Sequence, residues 1–219
     1  NSMAHEVESL AYHGLPPWHN IGFKVQDVMT PQEMLVAANL DWTISKRPLF
    51  TTDSTNNQVA KALKFEKMYA LVRDQDNKIF GVCGPEYTPF QNSETFEFFQ
   101  KFCEAGHMTM EVAGSLKKGT WVCALAKLAN GTFTLLGDDE NYSYLLLCSP
   151  HIWSEALTIM FTCVRVVCWN TLTQAMGKTV QSKFRFRHRH NFAAIRETAE
   201  ISVEQAMIQK TVFEQKARL

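Results

Sequence analysis

From His107 to Cys148 the chain divides into short β-prone runs separated by Gly114 to Gly119, Asn130-Gly131 and Gly137 to Asn141. That punctuation predicts three or four strands of a mostly antiparallel sheet. Leu157 to Val167 follows as a run rich in β-branched and apolar residues, with Arg165 its only charge. It reads as a central strand whose guanidinium needs a partner or a ligand. Nearer the start, Lys67 to Arg73 and Lys78 to Cys83 flank Asp74-Gln75-Asp76-Asn77, the pattern of an antiparallel hairpin.

Helical signals lie around these strands. Thr30-Pro31-Gln32-Glu33 is a capping box with proline at the first helical position, opening a short helix toward Asn39. Asn92 or Ser93 can cap a second helix in which Phe96, Phe99 and Phe102 or Cys103 recur at helical spacing, closed by Gly106. From Asn191 onward Phe192, Ile195, Ala199, Val203 and Ala206 keep a helical period with no glycine or proline. The expectation is an α+β fold: a mostly antiparallel sheet with packed helices and a long C-terminal helix over 191–219. The 219 residues form a single domain in this reading. Asn1 and Ser2 before Met3 read as a cloning remnant, and the uncapped Leu219 implies a natural chain that continues.

Several function classes recede on composition. Lysine plus arginine (22) equals aspartate plus glutamate (22), so any electrostatic function is local. No window approaches a membrane span and the start lacks a signal peptide, which predicts a cytoplasmic protein without membrane contact. Cys83, Cys103, Cys123, Cys148, Cys163 and Cys168 mostly sit among apolar neighbours and include no C-x-x-C pair. Reduced thiols, no metal and no cofactor are expected.

The charge is unevenly spread. Residues 1–177 carry 13 basic and 18 acidic side chains, whereas residues 178–219 carry 9 basic and 4 acidic. Within 178–190 there are five basic side chains and no acidic one. There the residues alternate, Lys183, Arg185, Arg187 and Arg189 on one side, Phe184, Phe186, His188 and His190 on the other. A strand turns that alternation into a row of four cations on one face. Such a row repels itself unless something anionic lies opposite: a phosphate backbone, or this protein's own acids such as Asp138, Asp139 and Glu140. A solvated edge strand is the plain alternative. Phe184 and Phe186 could stack on bases, but a strand needs a buried face, which favours the core beneath the long helix.

Enzyme chemistry has little footing. Trp18-His19 and His188 to His190 could supply imidazoles for acid–base work. The chain has no glycine-rich phosphate loop, no H-E-x-x-H and no G-x-S-x-G. Cys168 precedes Trp169-Asn170-Thr171, where a helix N-terminus capped by Asn170 or Thr171 explains the residues better than a thiolate nucleophile.

Six stretches occur together in a recognisable order. They are Met3-Ala4-His5-Glu6, Pro17-Trp18-His19-Asn20-Ile21-Gly22, Tyr87-Thr88-Pro89-Phe90-Gln91-Asn92, Ala113-Gly114-Ser115-Leu116, Arg165 through Leu172 and His188-Arg189-His190-Asn191. The sequence resembles the phage- and plasmid-associated family called domain of unknown function 932. The Cys168-x-Asn170-Thr171-Leu172 and Trp18-His19-x-x-Gly22 elements are the most specific, with Asn20 standing where glycine is expected. The resemblance implies a mobile-element protein of a prokaryotic cytoplasm and carries no established activity. By analogy it points toward replication, recombination or evasion of host defence, where single-strand annealing proteins form one α+β group.

The leading expectation is therefore a non-enzymatic protein that binds nucleic acid, single-stranded DNA above all, during recombination or replication. Lys183, Arg185, Arg187 and Arg189 are the expected phosphate contacts, with Lys178 and Arg165 assisting. The alternative is an interaction or defence-evasion protein whose basic strand docks an acidic surface. A long terminal helix with an apolar stripe predicts a homo-oligomer.

Overall fold

The computed structural model describes residues 5–53, 61–134, 140–177, 183–189 and 192–217. Ten strands and five helices follow one another along these residues. They are β1 (Val7–Tyr12), β2 (Phe23–Lys24), α1 (Pro31–Ala37), β3 (Ile44–Asp53), β4 (Lys61–Arg73), β5 (Lys78–Cys83), α2 (Asn92–Glu97), α3 (Gln100–Glu104), β6 (Met108–Leu116), β7 (Trp121–Thr134), β8 (Glu140–Pro150), β9 (Leu157–Thr162), α4 (Trp169–Gly177), β10 (Lys183–Phe186) and α5 (Phe192–Ala217).

Seven strands make one sheet in the order β10-β9-β8-β7-β6-β1-β2, and β3-β4-β5 make a second. Every pairing is antiparallel except the short β1–β2 contact. The fold is thus α+β and mostly antiparallel. No helix among the described residues is long and apolar enough to cross a membrane.

The large sheet is buried on both faces. Val122, Ala124 and Ala126 of β7, Leu145 and Leu147 of β8, and Leu157 and Ile159 of β9 point into one core. Helices α1, α2, α3 and α5 close that core through Met34, Phe96, Phe99, Phe102 and Phe192. The alternate residues Cys123, Leu125, Leu146, Cys148 and Met160 enter a second core capped by Leu172 and Ala175 of α4. Because successive side chains leave a strand on opposite faces, a sheet covered twice reads as an unbroken apolar run, which is why Leu145-Leu146-Leu147-Cys148 has no polar alternation. Ile44, Leu71 and Cys83 of the small sheet join the first core.

Local signals account for the boundaries. Thr30 accepts a hydrogen bond from Glu33 N–H at 3.3 Å and Glu33 accepts one from Thr30 N–H at 2.8 Å, the expected reciprocal cap of α1. The second helix differs from expectation in two respects. Gln91 occupies its cap position, and the helical run breaks near Phe98 into α2 and α3. Asn92 is a buried bridge instead, its amide donating to Leu40 O at 2.9 Å.

Gly114 belongs to β6 and not to a turn. A Cβ there would lie 2.5 Å from Ser9 O, so only glycine admits β1 alongside. The turn itself is carried by Lys117, Lys118 and Gly119, all at positive φ.

The run from Leu157 to Val167 is strand only as far as Thr162, whose hydroxyl accepts the Val164 N–H at 3.0 Å and turns the chain away. Arg165 therefore sits beyond β9. The strand itself is interior, flanked by β8 and β10.

Candidate nucleic-acid interface

β10 forms the edge of the large sheet, pairing Lys183 with Met160 and Phe186 with Leu157. Its alternation is the one the sequence shows. Lys183 and Arg185 are exposed, while Phe184 and Phe186 are half-buried against the first core. The strand ends at Phe186, yet the alternation continues through the following turn, with Arg187 and Arg189 exposed and His188 only 4% exposed. Lys178, His190 and Asn191 lie outside the described residues, as do Asp138 and Asp139.

Beside this edge opens a cleft of about 610 Å³. One wall is the 84–87 loop after β5, another is the 153–156 loop between β8 and β9, and the third carries Arg185, Arg187 and Arg189. Trp153 stands 54% exposed in it, lying so close over Gly84 that a Cβ there would come within 3.3 Å of the indole. Two carboxylates, Glu86 and Glu155, share the cleft, and Glu155 reaches Arg185 at 4.0 Å. Among the described residues, Arg187 and Arg189 form no ion pair.

Tyr87 and His188 also line the cleft. His188 stacks on Phe90 with ring centroids 4.1 Å apart and on Tyr87 at 4.7 Å, and its carbonyl accepts the Thr88 N–H at 2.8 Å. The buried Tyr87 hydroxyl has no hydrogen-bond partner among the described residues, and the buried His188 ring lies against the Thr88 backbone. Burial holds the His188 imidazole neutral, down to about 4, and pushes the Tyr87 phenol well up. Behind them His151, fully buried and brought down to about 3 by that burial and then by His188, pairs with Asn92 Oδ1 at 3.1 Å.

Arg165 is engaged elsewhere. Its guanidinium donates to Glu111 Oε1 at 2.9 Å, to Leu15 O at 2.7 Å and to His13 O at 2.9 Å. It is not part of the cleft lining. Lys183 is also outside the lining, its ammonium 3.4 Å from Met176 O.

The remaining motif residues gather at a different place. The His5 ring lies 4.6 Å from Trp18 and 4.8 Å from His19, and Trp169 N–H donates to His5 O at 3.0 Å. His19 Nδ1 accepts from Ile21 N–H at 3.1 Å, so Nε2 carries the proton and donates to Val167 O at 3.3 Å. The Thr171 hydroxyl accepts from Val167 N–H at 2.9 Å and Cys168 N–H at 3.0 Å and donates to Cys168 O at 3.0 Å. Thr171 thus serves the start of α4, whereas the Asn170 side chain is exposed and makes no capping bond among the described residues. Cys168 is fully buried. Every polar atom described for His19 and Thr171 is spent on holding the chain together, which is a structural junction. All six cysteines are free, and no group of three or more metal-ligating side chains occurs among the described residues.

A family model described as Domain of unknown function (DUF932) matches residues 79–218, well over half of the chain. The chain belongs to this family. The DUF932 match takes in four of the six sequence stretches quoted above and begins after His5 and Trp18-His19. Comparison with curated proteins finds no match, and comparison with solved structures finds none. Within this DUF932 chain, Trp153 and Glu155 escaped the sequence reading because they belong to no motif. They reach the cleft only because β10 pairs back onto β9, which brings the loop before β9 beside the basic turn.

Proposed function

We propose that this protein binds single-stranded nucleic acid, with DNA as the leading ligand, along the cleft beside β10. The observation that carries this reading is that Arg185, Arg187 and Arg189 open on the same cleft as an exposed Trp153. Cations that track a backbone, interleaved with an aromatic face on which any base can stack, are what single-strand binding requires. A duplex presents its bases edge-on and stacked, and offers such an indole nothing. Recombination or replication of a mobile element is the process we assign to it, and Lys183, exposed on the same strand, extends the phosphate track.

The concavity sets this reading above docking of an acidic protein surface, which would need a flatter and wider face. Fluorescence anisotropy of labelled single-stranded DNA, duplex DNA and single-stranded RNA at two salt concentrations tests it. Single strands bind more tightly than duplex, and raising the salt weakens them steeply. Equal affinity for all three, or none at low salt, overturns the proposal.

A further inference from the structure

Two tight turns line the cleft and give it a chemistry that a plain phosphate track does not have. In one, Tyr87 N–H donates to Gly84 O at 3.3 Å, which puts Pro85 and Glu86 at the tip. Lys46 Nζ fastens that turn by donating to Pro85 O at 2.7 Å. In the other, Glu155 N–H donates to Ile152 O at 3.1 Å, which puts Trp153 and Ser154 at the tip. The turns meet where the Trp153 indole lies against Gly84, a contact that the missing Cβ permits. Two carboxylates therefore share the cleft with an exposed indole and three guanidiniums. Glu155 lies 4.0 Å from Arg185, whereas the Glu86 side chain is exposed and forms no ion pair or hydrogen bond among the described residues. A carboxylate repels phosphate, so a strand gains nothing from Glu86 through its backbone. What a carboxylate does accept is a pair of parallel N–H bonds, one on each oxygen. Among the four bases guanine alone presents two donors side by side, its ring N1–H and its N2 amino group. Adenine, cytosine and thymine each set their donor beside an acceptor, which the second carboxylate oxygen repels.

We infer that the cleft selects guanine: the base stacks on Trp153, its N1–H and N2–H groups donate to the Glu86 carboxylate, and the adjoining phosphate is held by Arg187 and Arg189. The volume of about 610 Å³ lies in the range of pockets that enclose one small ligand. The inference rests on the proposed function, because it names the base that a bound strand turns into the cleft. Binding is then tolerant of sequence along the strand and selective at one position.

The test uses the whole chain and fluorescence anisotropy at low salt with three labelled strands. They are an oligothymidine, the same strand with one central guanine, and the same strand with hypoxanthine there, which keeps N1–H and lacks the N2 amino group. The guanine strand binds about tenfold more tightly than the oligothymidine, and hypoxanthine loses most of that gain. Glu86→Gln removes one acceptor oxygen at an exposed position. It brings the guanine strand down to the oligothymidine without weakening the oligothymidine itself, and Trp153→Ala weakens every strand. A melting temperature equal to the parent's shows that each variant is folded. Four results overturn the guanine site and leave strand binding standing: guanine binds no better than thymine, hypoxanthine matches guanine, Glu86→Gln discriminates like the parent or weakens all strands alike, or Trp153→Ala binds as tightly as the parent. If no strand binds at low salt, the proposed function falls and guanine selection falls with it.

Discussion

Four of the described arginines are closely partnered, and they define by contrast what is unusual about Arg187 and Arg189. Arg47 meets Asp74 at 2.8 Å, Arg165 meets Glu111 at 2.9 Å and Arg196 meets Glu97 at 2.8 Å. Arg73, whose side chain is 9% exposed, holds Glu8 at 3.0 Å and Asp76 at 2.6 Å while covering the Trp42 ring at 5.2 Å. The Arg73 hydrogen bond holds Asp76 down to about 2, and at Glu8 the bonds from Arg73 and Lys78 outweigh the upward push of burial. Arg73→Ala leaves the Glu8 carboxylate with only Lys78 and the Ser115 hydroxyl and opens a gap over Trp42. It lowers stability by about 3 kcal/mol in urea unfolding, as loss of one partner of a buried pair does. The buried histidines give a pH signature. The unfolded chain takes up a proton near pH 6.5 at each of them, whereas the native His188 and His151 refuse it until about 4 and about 3. The unfolded state therefore binds more protons below pH 6.5, so stability is full at neutral pH and falls as the pH drops toward 4. At pH 5 the loss is about 2 kcal/mol per histidine. Urea midpoints at pH 7 and pH 5 measure it, and His188→Phe removes about half of the difference.

The elements differ in how much of them a sequence can carry. Thr171 governs the start of α4 by accepting two backbone N–H groups at 2.9 and 3.0 Å. Thr171→Val keeps the shape and strips both acceptors, costing about 2 kcal/mol in thermal or urea unfolding, and Thr171→Ser restores most of it. That the residue serves a helix start was legible, because Asn and Thr after a strand-like run favour caps. Which of the two does so was not, because the choice depends on where Cys168 turns. The same limit appears at β9, where composition predicts a strand through Val167 and one hydroxyl, that of Thr162, ends it five residues earlier. Strand alternation in β10 was legible because period 2 is a local property. The aromatic stack beside the cleft was not, because His188 lies about a hundred residues from Tyr87 and Phe90 and only tertiary packing brings it onto them.

Across the whole molecule the six quoted stretches resolve into separate junctions. His5, Trp18-His19 and Val167 to Thr171 make one, which anchors the N-terminal segment to α4. Tyr87, Phe90 and His188 make another, in which Tyr87 and His188 line the cleft and Phe90 packs behind them. Gly114 and Ser115 make the β1–β6 contact, with Ser115 Oγ 2.8 Å from Ser9 Oγ. The charge that is surplus in residues 178–219 meets the cleft at one place, while the rest of the chain carries the compensating acids. A near-neutral body with one local basic rim binds a polyanion through that rim alone, and few cations then set the whole salt dependence. The most direct measurement is the slope of log affinity for single-stranded DNA against log salt, in the parent and in an Arg185→Ala, Arg187→Ala, Arg189→Ala variant. The variant's slope is expected to be flatter by about 2 units, near 0.7 for each lost phosphate contact, with an unchanged melting temperature. A variant that melts like the parent and keeps the parent's affinity and slope contradicts it.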